Sequence, residues 1–162
     1  MDVRIIWAKF NLELGLDCLV YGWKGPGNLI KQLTIKDIKE LSTNMLSSID
    51  VSNLKTIASL LIENDEYEIN TLLESISNEI TEVTKLKWHI VLLIKHMIES
   101  KSMQGSYRDK AEHIYTYWFY SDFYNEIPFN KSPLCYQSKG EFYNLIKLNH
   151  KYLLDKLAQL RT

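Results

Sequence analysis

Glycine and proline are scarce in this chain, with only six Gly and three Pro among 162 residues. β-Sandwiches and barrels need many tight turns, and those turns usually contain one of these two residues. The composition therefore favours helices, and no clean alternation of apolar and polar residues indicates a strand. We predict an all-α fold, a compact single-domain bundle of about six to eight helices over residues 1–162.

Long apolar runs and paired cysteines are also missing. No stretch of about 18 apolar residues occurs, so we predict no contact with a membrane. The N-terminal residues lack the basic start and the cleavage site of a signal peptide. Cys18 and Cys135 have no metal-site spacing. Together these absences predict a cytoplasmic protein with reduced thiols.

Motifs for catalysis and for cofactor binding are absent as well. There is no GxSxG, no Walker-type loop and no dinucleotide fingerprint, and Gly25-Pro26-Gly27 has no preceding strand. His89 and His96 lie seven residues apart, whereas a helical zinc pair needs a spacing of three or four. We therefore predict no catalytic residue, no metal site and no cofactor.

One group of residues keeps an enzymatic alternative open. Asp109, Glu112 and His113 fall on one helical turn, where a carboxylate and an imidazole can form an acid–base pair. Helix surfaces carry such pairs routinely. For an enzyme we expect a deep pocket that converges on these residues or on Asp122.

Aromatic residues, by contrast, are concentrated in one segment. Eight of the fifteen residues from Tyr115 to Phe129 are aromatic, and large rings dominate both cores and interface hot spots. The segment therefore either completes the core or presents a surface to a partner. Helical spacing predicts that the following residues face inward: Ala111, Ile114, Tyr115, Trp118 and Phe119.

Capping signals and apolar periodicity predict where the helices lie. Residues 3–23 predict one helix, or two with a break near Gly15, ending at the Gly-Pro cluster that follows. Thr34 and Asp37 form a variant capping box at the next helix. The helix opened by Thr84 is apolar over most of its circumference, which is typical of the most buried helix of a bundle. Further helices are predicted at residues 107–120 and 141–160.

Charge is unevenly distributed. The net charge is −1, but residues 49–84 contain eight Asp or Glu and one Lys, a net charge of −7. Residues 85–162 carry a net charge of +5, yet their lysines alternate with acids and their rings are predicted to face inward, so we predict no nucleic-acid binding. The acidic block is either a solvated pair of helix faces or a docking surface for a basic protein, which negative potential attracts.

Several elements, in order along nearly the whole chain, resemble a known family. They are Trp7, Tyr21-Gly22-Trp23, the short helix at 33–46, the acidic helices at 54–79, the apolar helix led by Lys87-Trp88, Ile114-Tyr115 and Asp122-Phe123. This pattern resembles the bacterial family catalogued as domain of unknown function 2247 (DUF2247). No catalytic residues are established for that family. Small helical proteins of this kind are often encoded beside contact-dependent or polymorphic toxins, so the resemblance implies an immunity role.

We therefore expect an immunity protein that binds a cognate toxin, a basic nuclease-like domain, and occludes its active site. The predicted partner-binding residues are Glu63, Asp65, Glu66 and Glu68, with Tyr124 or a neighbouring ring as the aromatic anchor. The alternatives are an enzyme with an inter-helix carboxylate and histidine site, or a structural helical adaptor.

Overall fold

Eight α-helices account for most of the residues that the computed structural model describes, which are 2–13, 15–46, 51–76 and 79–162. They are α1 (Val3–Lys9), α2 (Leu16–Lys24), α3 (Ile35–Met45), α4 (Val51–Ile62), α5 (Glu66–Glu74), α6 (Glu82–Ser102), α7 (Tyr107–Tyr120) and α8 (Lys139–Arg161). Two 3₁₀ turns, Tyr124–Glu126 and Pro133–Cys135, lie between α7 and α8. These described residues contain no strand, which confirms the all-α fold. None of the helices within them is long and apolar enough to cross a bilayer.

The central helix is α6, which packs against α1, α2, α7 and α8. Its buried positions lie on several sides of the helix, as the continuous run from Trp88 to Leu93 shows. This confirms the prediction that it is the most buried helix. The predicted start at Thr84 is wrong, because Thr81 caps the helix and its hydroxyl oxygen accepts the Thr84 N–H at 3.2 Å.

Trp88 of α6 joins three helices. Its indole N–H donates to the carbonyl oxygen of Cys18 in α2 at 2.9 Å, and its ring meets the Trp7 ring of α1 edge-on at 5.1 Å between centroids. Gly22 lies against the same ring: a Cβ there would come within 2.1 Å of Trp88 Cζ2 and 2.8 Å of Leu33 Cδ1. The packing therefore requires glycine at this position.

The N-terminal region follows one of the two predicted arrangements. A break near Gly15 separates α1 from α2, and α2 ends at Lys24. Gly25 and Gly27 follow with φ of 105° and 60°. Residues that have a Cβ rarely adopt such backbone conformations. The turn then packs on the end of α7, where the Asn28 N–H donates to the Tyr120 carbonyl at 3.0 Å.

Capping boxes set where three other helices begin. Thr34 and Asp37 form the predicted box at α3, and Ser106 starts α7 at the predicted residue. Ser138 and Glu141 form a third box, so α8 begins at Lys139, two residues before the predicted start. Each box satisfies backbone N–H groups that have no partner inside the helix.

The aromatic segment is divided between core and surface. Tyr117, Trp118 and Phe129 are buried, whereas Phe119 and Tyr120 are exposed. The prediction that Phe119 faces inward is therefore wrong. Tyr117 takes an inward position instead, because α6 offers its hydroxyl polar partners inside the core at His89.

A hydrogen bond inside the core links α7 to α8. The Trp118 indole N–H donates to the side-chain oxygen of Asn149 at 2.8 Å, and the Asn149 amide donates to the Leu145 carbonyl at 2.9 Å. Both side chains are fully buried, and the pairing avoids the cost of burying unsatisfied polar groups. Buried apolar residues from Val3 to Leu157 belong to the same core cluster.

We predict that Gly22→Ala destabilises the protein by about 1–3 kcal/mol, because the new methyl group must displace Trp88 or Leu33 from a packed core. The matched control is Gly140→Ala. Its Cβ would lie 4.0 Å from its nearest neighbour, and alanine favours the helix by roughly 0.5–1 kcal/mol. Urea denaturation of both variants measures the difference. A Gly22→Ala variant as stable as wild type would contradict this account of Trp88.

Candidate functional site

Two of the four predicted carboxylates stabilise the turn between α4 and α5. Asp65 is the N-cap of α5, and its side chain accepts the Glu68 N–H at 3.1 Å. Glu63 is half-buried and accepts the backbone N–H groups of Asn64 and Asp65 at 2.8 and 2.9 Å. Glu66 and Glu68 are exposed in the first turn of α5, where negative charge is favourable against the helix dipole.

Glu66 also connects α5 to the loop that follows α2. It forms an ion pair with Lys31, and the Glu66 side chain remains 68% exposed. The Lys31 ammonium also lies 3.5 Å from the centroid of the Trp23 ring. An exposed pair of this kind contributes about 0–1 kcal/mol, so the Glu66 charge remains accessible to a partner.

Exposed apolar side chains neighbour these charged residues along the chain. Ile30, Ile62 and Tyr67 are 83%, 79% and 75% exposed, more than any other large apolar residue in the described ranges. Ile30 precedes Lys31, Ile62 ends α4, and Tyr67 lies between Glu66 and Glu68. We refer to Ile30, Ile62, Glu66, Tyr67 and Glu68 as the acidic surface. Exposed apolar groups rimmed by polar ones are typical of surfaces that bind another protein.

Tyr124, the predicted aromatic anchor, lies in a separate part of the bundle. It belongs to a 3₁₀ turn that packs on α7, whereas α5 packs on α2 and α4. Its hydroxyl lies 3.5 Å from that of Tyr115, and both residues line a cavity of about 800 Å³ together with Phe129 and Tyr136. The prediction that Tyr124 and the carboxylates belong to one interface rested only on the types of these residues.

The residues of the enzymatic alternative are only partly brought together. Asp109, Glu112 and His113 line a cavity of about 330 Å³ between α6 and α7. Asp109 also accepts the backbone N–H and hydroxyl of Ser106 at 2.9 and 2.7 Å, as part of the α7 capping box. Asp122 lies elsewhere, where it accepts the hydroxyl of Tyr21.

At this cavity lies a cluster that the sequence did not predict. His96 Nδ1 and His113 Nε2 are 3.1 Å apart. Glu99 Oε2 lies 3.4 Å from His113 Nε2 and 3.9 Å from His96 Nδ1. The sequence analysis considered a metal site only from two histidines on one helix. The signal that it missed was His96-x-x-Glu99 on α6 followed by a histidine on the next helix.

The two α6 members of this cluster have shifted pKa values. Burial, together with the neighbouring His113, lowers the pKa of His96 to about 4, so its imidazole is neutral at pH 7. Partial burial raises the pKa of Glu99, but positive neighbours, of which Lys95 has the largest effect, lower it by more. The cluster at neutral pH therefore combines a neutral imidazole on α6 with a carboxylate one turn away.

His89 is a further titratable group, and its side chain is buried in the core. Tyr117 donates its hydroxyl to the His89 carbonyl at 3.1 Å, and His89 Nδ1 lies 2.6 Å from the same hydroxyl oxygen. The imidazole therefore donates its Nδ1–H to Tyr117. His89 Nε2 is buried and has no hydrogen-bond partner in the described part of the chain. Burial, with a smaller effect from Lys156, lowers the pKa of His89 to about 3.

We predict that His89 makes stability depend on pH. Folded His89 stays neutral until about pH 3, whereas an unfolded histidine binds a proton near pH 6.5. Its contribution is therefore complete above pH 6.5 and falls by up to about 1.4 kcal/mol per pH unit below that value. In His89→Gln, unfolding free energies between pH 6.5 and 4.5 should fall less steeply than in wild type.

The exposed His150→Gln is the matched control for this measurement. This variant leaves the buried His89 in place, so it should keep the steep pH dependence of wild type. A His89→Gln curve that runs parallel to wild type over the same range would show that burial of His89 does not set the acid sensitivity.

Comparison of the chain with protein-family models, with curated proteins and with solved structures gives no match. The resemblance to domain of unknown function 2247 therefore stays a prediction. Functional inference rests on the acidic surface and on the two cavities described above.

Proposed function

We propose that this protein is an immunity protein, which binds and neutralises a cognate bacterial toxin through the acidic surface. The observation that supports the proposal is that Ile30, Ile62 and Tyr67 are the most exposed large apolar side chains of the described residues. Tyr67 lies between Glu66 and Glu68 in the sequence, and Ile30 adjoins Lys31, the ion-pair partner of Glu66. Covering one such side chain is worth roughly 1.5–3 kcal/mol. A partner that covers all three therefore gains affinity at this position.

Charge indicates the kind of partner. Residues 49–84 carry a net charge of −7, and negative potential steers a cationic protein towards its binding site. A nuclease needs a basic cleft, because it must hold a phosphate backbone. A carboxylate surface with apolar side chains is complementary to such a cleft and would exclude the nucleic acid from it.

In this proposal Tyr67 is the aromatic anchor, in place of Tyr124. Tyr67 is 75% exposed and lies between two carboxylates, so most of its ring is free to be buried by a partner. Tyr124 is 39% exposed and already packs on Phe119 at 5.8 Å between ring centroids. Rings that become fully covered on binding are the usual hot spots of an interface.

A second candidate function is an enzyme that uses the cavity beside α7. The observation that favours it is the space of about 330 Å³ lined by Glu112 and His113. Because the capping box already engages Asp109, Glu112 and His113 are the acid–base pair that remains. An enzyme of this kind needs no protein partner, so an experiment that detects a complex distinguishes it from the immunity protein.

The experiment that tests the immunity role uses the product of the gene immediately upstream. The purified chain is mixed with that protein at low and at moderate salt, and the complex is measured by size-exclusion chromatography. We expect a stoichiometric complex, and a partner that stops growth when expressed alone but not when co-expressed with this chain. Absence of a complex at both salt concentrations would contradict the proposal and favour the cavity.

We predict that Tyr67→Ala weakens this complex by about 2 kcal/mol or more, roughly a 30-fold rise in Kd. Tyr124→Ala is the matched control, and its affinity should stay within a factor of about three of wild type. Surface plasmon resonance measures both. The reverse order of effects would move the interface to the 800 Å³ cavity that Tyr124 lines.

We also predict that the double variant Glu66→Lys, Glu68→Lys slows association at low ionic strength by at least about tenfold, because it reverses the steering charge. Its association rate should also depend less on salt. The control is Glu112→Lys with Asp155→Lys, which changes the net charge equally at two other exposed positions. If both double variants slow association equally, net charge and not the acidic surface attracts the partner.

A further inference from the structure

His96, Glu99 and His113 form a group of potential metal ligands at the contact between two helices. His96 and Glu99 are three residues apart on α6, so they lie on the same side of that helix. α7 packs against α6 and supplies His113. In the described ranges this is the group of three His, Cys, Asp or Glu residues whose donor atoms all lie within 4.8 Å of one another.

The separations of the three donor atoms match those around a small metal ion. They are 3.1 Å between the two imidazole nitrogens, 3.4 Å from Glu99 Oε2 to His113 Nε2, and 3.9 Å from Glu99 Oε2 to His96 Nδ1. Ligands bound to Zn²⁺ at about 2.0–2.1 Å in a tetrahedral arrangement are separated by about 3.3 Å. Shifts of a few tenths of an ångström would therefore bring all three atoms into a zinc coordination sphere.

We propose that His96 Nδ1, His113 Nε2 and Glu99 Oε2 bind one divalent transition-metal ion, with Zn²⁺ as the best match. Two imidazoles and one carboxylate suit zinc and its neighbours in the first transition series. Mg²⁺ and Ca²⁺ prefer oxygen ligands alone. The site shares no residue with the acidic surface, so the two proposals can be tested independently.

The surroundings hold the ligands in place. The His96 ring stacks on the buried Tyr117 ring at 4.8 Å between centroids and 19° between planes. Glu99 contacts Lys95 and the histidines through different oxygens: Oε1 lies 4.0 Å from the Lys95 ammonium, and Oε2 lies 3.4 and 3.9 Å from the two imidazole nitrogens. Fixed ligand orientation is a feature that metal sites need from the groups around them.

A cavity lies beside the proposed site. His96 and His113 both line the cavity of about 330 Å³, and Glu112 and Tyr117 line it too. Zinc sites with three protein ligands and an open position hold a water molecule or a substrate there, whereas purely structural zinc sites are closed by four protein ligands. The proposed ion therefore has room for an exchangeable ligand.

The test uses the full-length chain with Cys135→Ser, which removes an exposed thiol that could bind metal on its own. After EDTA treatment and removal of the chelator, the protein is titrated with ZnCl₂ in a calorimeter. A parallel titration with Co²⁺ follows the visible absorption of the bound ion. We expect one ion per chain, a higher Tm with Zn²⁺, and a Co²⁺ spectrum typical of four or five ligands.

Two conservative variants and one control assign the ligands. Glu99→Gln and His113→Gln approximately keep the size of each side chain. Loss of a group that only supports a ligand weakens metal binding by roughly 10- to 100-fold. Each of these variants removes a ligand itself, so each should weaken Zn²⁺ binding by more than that. His150→Gln removes an exposed histidine elsewhere and should bind like the parent. Circular dichroism without metal checks that each variant is folded.

Two results would overturn the assignment. One is binding of less than one ion per chain at micromolar Zn²⁺ in the folded parent protein. The other is unchanged affinity in both Glu99→Gln and His113→Gln, which would place any bound ion at other residues. If one of these variants does not fold, the other still decides the question, because each removes a different ligand from a different helix.

Discussion

Burial of α6 is the constraint on which the rest of the structure depends. A 21-residue helix that is apolar on several sides cannot remain in water, and four other helices cover it. Trp88 sets how closely α1 and α2 approach, because its ring meets Trp7 of α1 edge-on, lies against Gly22 of α2 and donates its N–H to the Cys18 carbonyl. The packing of the Trp88 side chain therefore determines the positions of α1 and α2 against α6.

The same helix carries polar groups into the core, and this fixes its neighbour α7. The His89 imidazole contacts the hydroxyl of Tyr117, and the His96 imidazole contacts that of His113, one turn earlier on α7. A buried imidazole without partners is costly, so these pairings help to select the face that α7 presents. The histidine and glutamate cluster is thus a consequence of how α6 is covered, and it lies beside the space that α6 and α7 leave open.

The acidic surface is subject to a different constraint. α5 buries Ile69 and Leu73 against the bundle, while Glu66, Tyr67 and Glu68 contribute little to the core. Exposed residues of this kind can change with small effects on stability, so the surface is free to adapt to a partner. The histidine and glutamate cluster has less of that freedom, because its members are half-buried at the contact between α6 and α7. The two candidate sites would therefore be expected to tolerate substitution very differently.

The sequence by itself determined the helical class, the stop after α2, the capping box at Thr34 and the central place of α6, and it left the break near Gly15 as one of two alternatives. These features depend on backbone conformation, on local side-chain acceptors and on apolar periodicity, all of which act over a few residues. Only the tertiary structure decided that Tyr117 and not Phe119 faces the core, that Tyr124 lies apart from the carboxylates, and that His113 meets His96 and Glu99. Each of these depends on the rotation of one helix against another, which is set by long-range packing that no local pattern records.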